Sequence, residues 1–162
     1  MYEILLKYNL IKIIPFQDTF FYTTNAFKNI KFSDELLQLN YANYAPFTEH
    51  QIATIFSEQQ LLIWFYQVAL DEPIVIPLTY LFYIELREQK KDAIYLIQSD
   101  IVKVLVIKDL KLISSVEVEG IDDSILDICA HEHNIYEKII ILEKEYTLLY
   151  DKVIDNISFK DL

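Results

Sequence analysis

The chain has 162 residues, 53% of them hydrophobic, so it is long enough to bury about 70% of its unfolded surface in a core, without disulfides or metals. Its net charge of −11 argues against nucleic acid and against direct adsorption to an anionic membrane, since both need Lys and Arg to meet phosphate. Cys129 is the only cysteine, so no internal disulfide can form, which suits a reducing compartment. Gly120 is the only glycine. Phosphate-wrapping loops need glycine to bring backbone N–H groups close to the anion. Neither GxGxxG nor GxxxxGK[ST] occurs, which makes a nucleotide cradle of the usual kind improbable.

In chain order, Tyr2 to Tyr8 and Leu10 to Phe16 read as strands, with Asn9 at the turn between them. Phe20 to Thr23 is a third strand, and Phe27 to Phe32 a fourth or a continuation of it. Ser33 is a good N-cap for a short helix over DELLQLN, with Asp34 and Glu35 in its first turn. Tyr41 to Phe47 is a loop broken by Pro46. Thr48 then caps a helix over EHQIATIF, whose Ile52, Ile55 and Phe56 share a face. Leu61 to Tyr66 is a continuous apolar run that suits a strand buried on both faces. Pro77 starts a helix from Leu78 to Lys91, apolar almost all round at first and charged at its end.

The stretch from Asp92 to Leu142 is the most regular. Ala93 to Ile97, Ile101 to Ile107 and Lys111 to Val118 read as three antiparallel strands, joined by turns at Ser99-Asp100 and Asp109. Lys103 lies among apolar neighbours. Ile121, Ile125, Ile128 and Cys129 make a helical stripe, with Asp122 and Asp123 at its start and Asn134 as its stop. Lys138 to Leu142 is a further buried strand, and Lys144 to Asp155 a last helix. Both halves of the chain thus read as strands, then helix, strand, helix. No signal peptide and no transmembrane segment is apparent.

Candidate chemistry is sparse. Cys129, His131 and His133 read C-x-H-x-H, but on a helix only Cys129 and His133 share a face, too few ligands for a metal. A buried cysteine and two surface histidines explain the pattern better. Asp122, Asp123 and Asp127 are better explained by helix-start electrostatics than by a two-metal nuclease, which needs carboxylates on central strands. No GxSxG nucleophile elbow occurs. Tyr80, Phe82 and Tyr83 could form an interaction face on the Leu78 helix, although core packing is the commoner explanation. No catalytic, cofactor or metal residue is assigned. Tyr80, Tyr83, Glu117 and Glu119 are the candidate partner-binding residues.

Two stretches, DAIYLIQSDIVKVLVIKDLKLISSVEV and IPLTYLFYIEL, resemble the second-subdomain opening and the closing first-subdomain helix of actin-like (ribonuclease-H-like) domains. They are most similar to the cytoplasmic platform proteins of bacterial secretion and pilus systems, the type II secretion L-type and type IV pilus M-type components. The pattern is clearest over residues 73–142. The resemblance implies an α/β, actin-like ATPase fold with two small mixed-sheet subdomains, residues 1–91 and 92–162, both degenerate and the second short of its last strand and helix. The turns matching the phosphate loops are Tyr8-Asn9 and Gln98-Ser99-Asp100, and neither carries a glycine, so Asp100 is the one remaining candidate for a phosphate or metal contact.

The implied function is a non-catalytic scaffold of a secretion, pilus or DNA-uptake machine at the cytoplasmic face of the inner membrane. It would need no cofactor. Its partners would be an assembly ATPase and the cytoplasmic tails of inner-membrane proteins, with the membrane reached only through a partner or an anchor and homodimerisation left open. An acidic surface suits basic partner segments, and exposed sheet edges offer strand addition. The alternative is a divergent nucleotide-dependent or ribonuclease-H-like phosphotransferase, with Asp100 or Asp122 beside other carboxylates in a cleft.

Overall fold

The computed structural model describes residues 11–17, 19–26, 34–46, 50–67 and 74–155. The expected strands over Tyr2–Tyr8 and Phe27–Phe32, the turn Tyr8-Asn9, and the caps Ser33 and Thr48 lie outside the described residues.

The regular stretch folds as its patterning requires. Strands β6 (Ala93–Gln98), β7 (Val102–Lys108) and β8 (Lys111–Val118) form an antiparallel meander. Helix α3 (Asp123–His133) then crosses over, so that β9 (Lys138–Ile141) lies parallel to β6, and α4 (Glu143–Asp155) follows. The sheet order is β8-β7-β6-β9. Strand β6 is central and buried on both faces. Ile94 and Leu96 pack with Val104, Val106 and Leu126 on the α3 side. Ala93, Tyr95 and Ile97 face the main core with Leu105 and Ile107. This is the period of two that a pleated strand imposes.

Local chemistry sets the ends of these elements. The Asp122 carboxylate accepts from the Ser124 backbone N–H at 2.9 Å and caps α3, which holds its carboxyl below the ordinary carboxylate range. Asn134 takes the left-handed conformation (φ 55, ψ 47) that closes α3; with glycine scarce, asparagine takes the role. The β7–β8 turn places two consecutive non-glycine residues, Asp109 and Leu110, at positive φ, the twist that suits a two-residue hairpin. Asp92 accepts from the Asp109 N–H at 2.8 Å, and the Tyr83 hydroxyl donates to the Leu110 carbonyl at 2.6 Å.

The earlier part of the chain is built differently from the later part. Strand β1 (Ile11–Ile14) pairs in parallel with β5 (Ile74–Pro77), which leads straight into α2 (Leu78–Arg87). That parallel pair feeding a helix repeats the β6–β9–α4 arrangement. Strands β2 (Thr19–Asn25), β3 (Gln51–Ser57) and β4 (Gln60–Tyr66) form a separate antiparallel sheet in the order β2-β4-β3, and α1 (Asp34–Tyr41) lies between β2 and β3 in the chain. Strand β4 is buried along its whole length, as its apolar run requires.

Three expectations are corrected. The segment read as a helix over EHQIATIF is strand β3. Its apolar residues fit a helical spacing, but its β-branched residues pair along β4 through a Glu58-Gln59 hairpin at positive φ, and tertiary pairing overrides the local pattern. Strand β9 is not fully buried. It is an edge strand among the described residues, and Ile140 is 39% exposed. Helix α2 ends at Arg87 rather than Lys91, and Pro77 sits at its N-cap rather than inside its first turn.

The main core draws on both parts of the chain. Ile11, Phe16, Phe21, Trp64 and Ile76 join α2 and the β6–β7 face in one cluster. Helix α2 lies at its centre with seven buried residues, among them Tyr80 and Tyr83. Their burial corrects the reading of these tyrosines as a docking face. Tyr80 meets Trp64 edge to face at 6.1 Å, and Arg87 sits over the Tyr83 ring at 5.3 Å. Among the described residues no helix is long and apolar enough to cross a membrane. Tyr83→Phe removes the donor to the Leu110 carbonyl while keeping the ring, so it should lower the unfolding free energy by about 1–2 kcal/mol in urea denaturation.

Candidate functional site

Two β-turns face each other across a cavity of about 270 Å³. One is the β1–β2 turn at Pro15, Phe16 and Gln17; the other is the β6–β7 turn at Ser99 and Asp100. Ile13, Leu78, Tyr146 and Tyr150 complete the lining. The turn opposing Ser99-Asp100 among the described residues is therefore Phe16-Gln17; the Tyr8-Asn9 turn lies outside them. The Ser99 backbone N–H and its hydroxyl both donate to the Ile101 carbonyl, at 2.8 and 3.1 Å. Ser99 thus turns its own donors inward to the turn, without glycine.

Aromatic side chains occupy the base of this cavity. Phe16 meets Phe82 edge to face at 5.0 Å and Tyr146 at 6.0 Å, and Phe82 stacks on Tyr146 at 5.5 Å with the rings 17° apart. Tyr150 continues the row at 6.0 Å from Tyr146. Burial pushes the Tyr146 phenol up in pKa, with Tyr150 and Asp100 adding to the effect. Among the described residues the lining holds one carboxylate, Asp100, and neither a basic side chain nor a glycine. A polyphosphate would meet the Asp100 carboxylate here and, among the described lining residues, no cationic side chain to pair with it.

The remaining candidates do not converge. Asp122 is committed to its cap, and Asp127 pairs with Lys138. Among the described residues no group of three or more His, Cys, Asp or Glu side chains is arranged to hold a metal. Cys129 is half-buried against the α3-side core, and burial followed by Glu132 pushes its thiol up. His131 is exposed and His133 partly buried. Of the four proposed partner-binding residues, Tyr80 and Tyr83 are in the core, while Glu117 and Glu119 are exposed at the end of β8.

Glu117 borders a second and larger opening of about 580 Å³ between strands β2 and β8. Thr19 to Thr23 line one wall and Ile113 to Glu117 the other, with Lys103 beneath. Two buried polar side chains tie the walls together at opposite ends. At one end the Gln60 amide donates to the Leu112 carbonyl at 3.2 Å and to the Thr23 hydroxyl at 3.3 Å. At the other, the Lys103 ammonium donates to the Phe16 carbonyl at 3.2 Å. The sequence signal for both was a polar residue inside or bordering an apolar run, QLLIWFY and VKVLVI, since a polar group in such a run is costly without a partner. Phe16, Gln17, Tyr146 and Tyr150 gave no comparable signal.

No family model and no curated protein matches the sequence. Among solved structures, the chain is similar to a Bacteroides thetaiotaomicron VPI-5482 protein with an actin-like ATPase fold and unknown function, at a TM-score of 0.55 and 9% identity, over 90% of this chain and 64% of that one. It also aligns with a PilM–PilN type IV pilus biogenesis complex at a TM-score of 0.42 and 9% identity, over 95% of this chain and 56% of that one, a likeness too low to bear on the fold. The chain thus spans less than two thirds of the length of either. Its architecture is mixed α/β with several sheets, similar in fold to the actin-like protein.

Lys103 makes a measurable prediction. Burial holds its ammonium down at about 8 from 10.5, with Glu117 partly offsetting the effect. Between those values the unfolded chain binds a proton that the folded chain has released, so stability rises with pH across that window, and below about 8 the buried charge destabilises the fold. The Phe16 carbonyl also accepts from Thr19, so it keeps a donor when Lys103 is replaced. Lys103→Met should therefore gain about 1–3 kcal/mol near neutral pH and abolish the alkaline rise, as read from urea denaturation across that range.

Proposed function

We propose that this chain is a non-catalytic scaffold or adaptor of a bacterial type II secretion, type IV pilus or DNA-uptake machine. On this reading residues 1–91 and 92–162 are two degenerate actin-like subdomains. They work at the cytoplasmic face of the inner membrane and link an assembly ATPase to the cytoplasmic tails of membrane proteins. The observation that carries the non-catalytic part is the cavity between the two turns, lined among the described residues by Phe16, Tyr146, Tyr150 and a single carboxylate. The likeness to an actin-like fold supports the architecture. The resemblance of residues 73–142 to the platform proteins supports the kind of machine.

The net charge of −11 favours basic partner segments over nucleic acid or a bare anionic membrane. Attachment to the membrane then comes through a partner or an anchor, and the role needs no cofactor. A second reading, a divergent nucleotide-dependent phosphotransferase, draws on the place of Asp100 in the same cavity.

Thermal denaturation with millimolar ATP or ADP and Mg²⁺ separates the two readings. A nucleotide present at a hundred times its dissociation constant would stabilise the fold by about 2.7 kcal/mol, which for a chain of this size is a shift of roughly 5–10 °C. The scaffold reading expects no shift, together with capture of an assembly ATPase or a membrane-protein tail. Mg²⁺-dependent turnover at micromolar nucleotide would replace it with the enzyme reading.

A further inference from the structure

We infer that the outer edge of β9, with the apolar groove between it and α4, is the contact face for a second copy of this chain, paired edge to edge about a two-fold axis. The inference goes beyond the scaffold reading and does not depend on it. Among the described residues β9 pairs only with β6, which leaves its other edge unpaired. The Glu137 carbonyl accepts from the Ile94 N–H at 2.9 Å. Backbone groups alternate along a ladder, so Glu137, Ile139 and Ile141 turn theirs toward β6, while Lys138 and Ile140 turn theirs outward.

Edge strands of free proteins are commonly blunted by charge, proline or a bulge. Past Lys138, β9 is Ile139, Ile140 and Ile141, with no such device. Ile140 is exposed, and so is Leu142 just beyond the strand. On the α4 side lies a groove of about 350 Å³, lined by Tyr95, Ile139 and Ile141 from the sheet and by Leu148 and Leu149 from α4. Leu148 is 73% exposed. Edge and groove adjoin through Ile139 and Ile141, which makes the apolar surface continuous, the mark of an interaction face. The opposite edge of the sheet differs. There β8 lies against β2 and ends at the exposed Glu117 and Glu119.

Charge selects the occupant. From residue 138 to 152 three lysines, Lys138, Lys144 and Lys152, stand against three carboxylates, Glu143, Glu145 and Asp151. The net charge of −11 therefore lies wholly outside this stretch. Lys138 and Lys152 are also paired within the chain, to Asp127 and Glu85. A second copy meets no net repulsion here, whereas a strongly basic or acidic segment finds no opposite field to draw it.

Symmetry completes the match. Two identical edges related by a two-fold axis pair in antiparallel fashion, which sets the Lys138 end of each strand against the Glu143 end of the other. With Ile140 on the axis, its outward N–H and C=O meet those of the second copy as a hydrogen-bonded pair. The two β8-β7-β6-β9 sheets then join into one, and neither copy keeps an open β9 edge.

Sedimentation equilibrium of the full chain up to about 100 μM tests this. A monomer–dimer equilibrium is expected, with a dissociation constant raised at least about tenfold by Ile140→Lys and by Leu148→Glu, each of which puts a charge into the face. Leu148 is exposed, so Leu148→Glu tests the face even where Ile140→Lys fails to fold. In a Cys129→Ser background, Ile140→Cys should oxidise to a covalent dimer, because opposite residues of such a pair lie about 5.5 Å apart. Val116→Cys, exposed on β8, should not. A monomer at about 100 μM overturns the inference and leaves the edge to a different protein. A dimer whose affinity neither charge variant changes, or one that cross-links through Val116→Cys as readily as through Ile140→Cys, puts the contact elsewhere and also overturns it. A nucleotide-induced thermal shift would end the scaffold reading and leave this inference standing.

Discussion

The contact on which the rest of the architecture depends is the packing of Phe16 against Phe82 and Tyr146. Phe16 sits on the turn between β1 and β2, Phe82 on α2, and Tyr146 on α4. One buried ring thus joins the early part of the chain to the helices that cover the β6-centred sheet. Edge-to-face and offset-stacked aromatic pairs add about 0.5–1.5 kcal/mol each beyond area burial. The joint also accounts for the functional reading. Two turns that face each other across a cavity form a natural place for an anion only when backbone N–H groups line it. Here the rings fill the base, Ser99 turns its own donors inward to the turn, and Asp100 supplies negative charge. The same packing that unites the structure disfavours a polyphosphate between the turns.

Beyond this joint the two sheets separate. Gln60 and Lys103 reach across and tie β2 to β8. Each tie buries a polar group in an otherwise apolar setting, and the charged one opposes folding at neutral pH.

The part of this fold that could be read from the sequence is the part in which local and tertiary preferences agree. From Ala93 to Asp155 the alternation of β6, β7 and β8, the Asp122 cap and the Asn134 stop each specify their element without help from distant contacts. The crossover helix then leaves β9 parallel to β6. The earlier part is set by long-range pairing. Ile52, Ile55 and Phe56 fit a helix face, yet β3 exists because β4 offers a ladder beside it. Helical spacing left Tyr80 and Tyr83 open as a docking face beside the commoner core reading, because it cannot distinguish a helix buried all round from one that carries such a face. Nothing local marks Phe16-Gln17 as a turn that faces Ser99-Asp100. Lys103 stood out within its apolar run, but the carbonyl it bonds lies 87 positions away in sequence and could not be inferred.

The aromatic joint is tested most directly by a double-mutant cycle on Phe16→Leu and Tyr146→Leu, read by urea denaturation in the intact chain. If these rings couple the β1–β2 turn to α4, the double variant should lose less stability than the sum of the single variants, with an interaction energy of about 0.5–1.5 kcal/mol. Strict additivity within about 0.3 kcal/mol would mean that the two rings do not work as a joint, and that the closure of the cavity between the turns rests on something else.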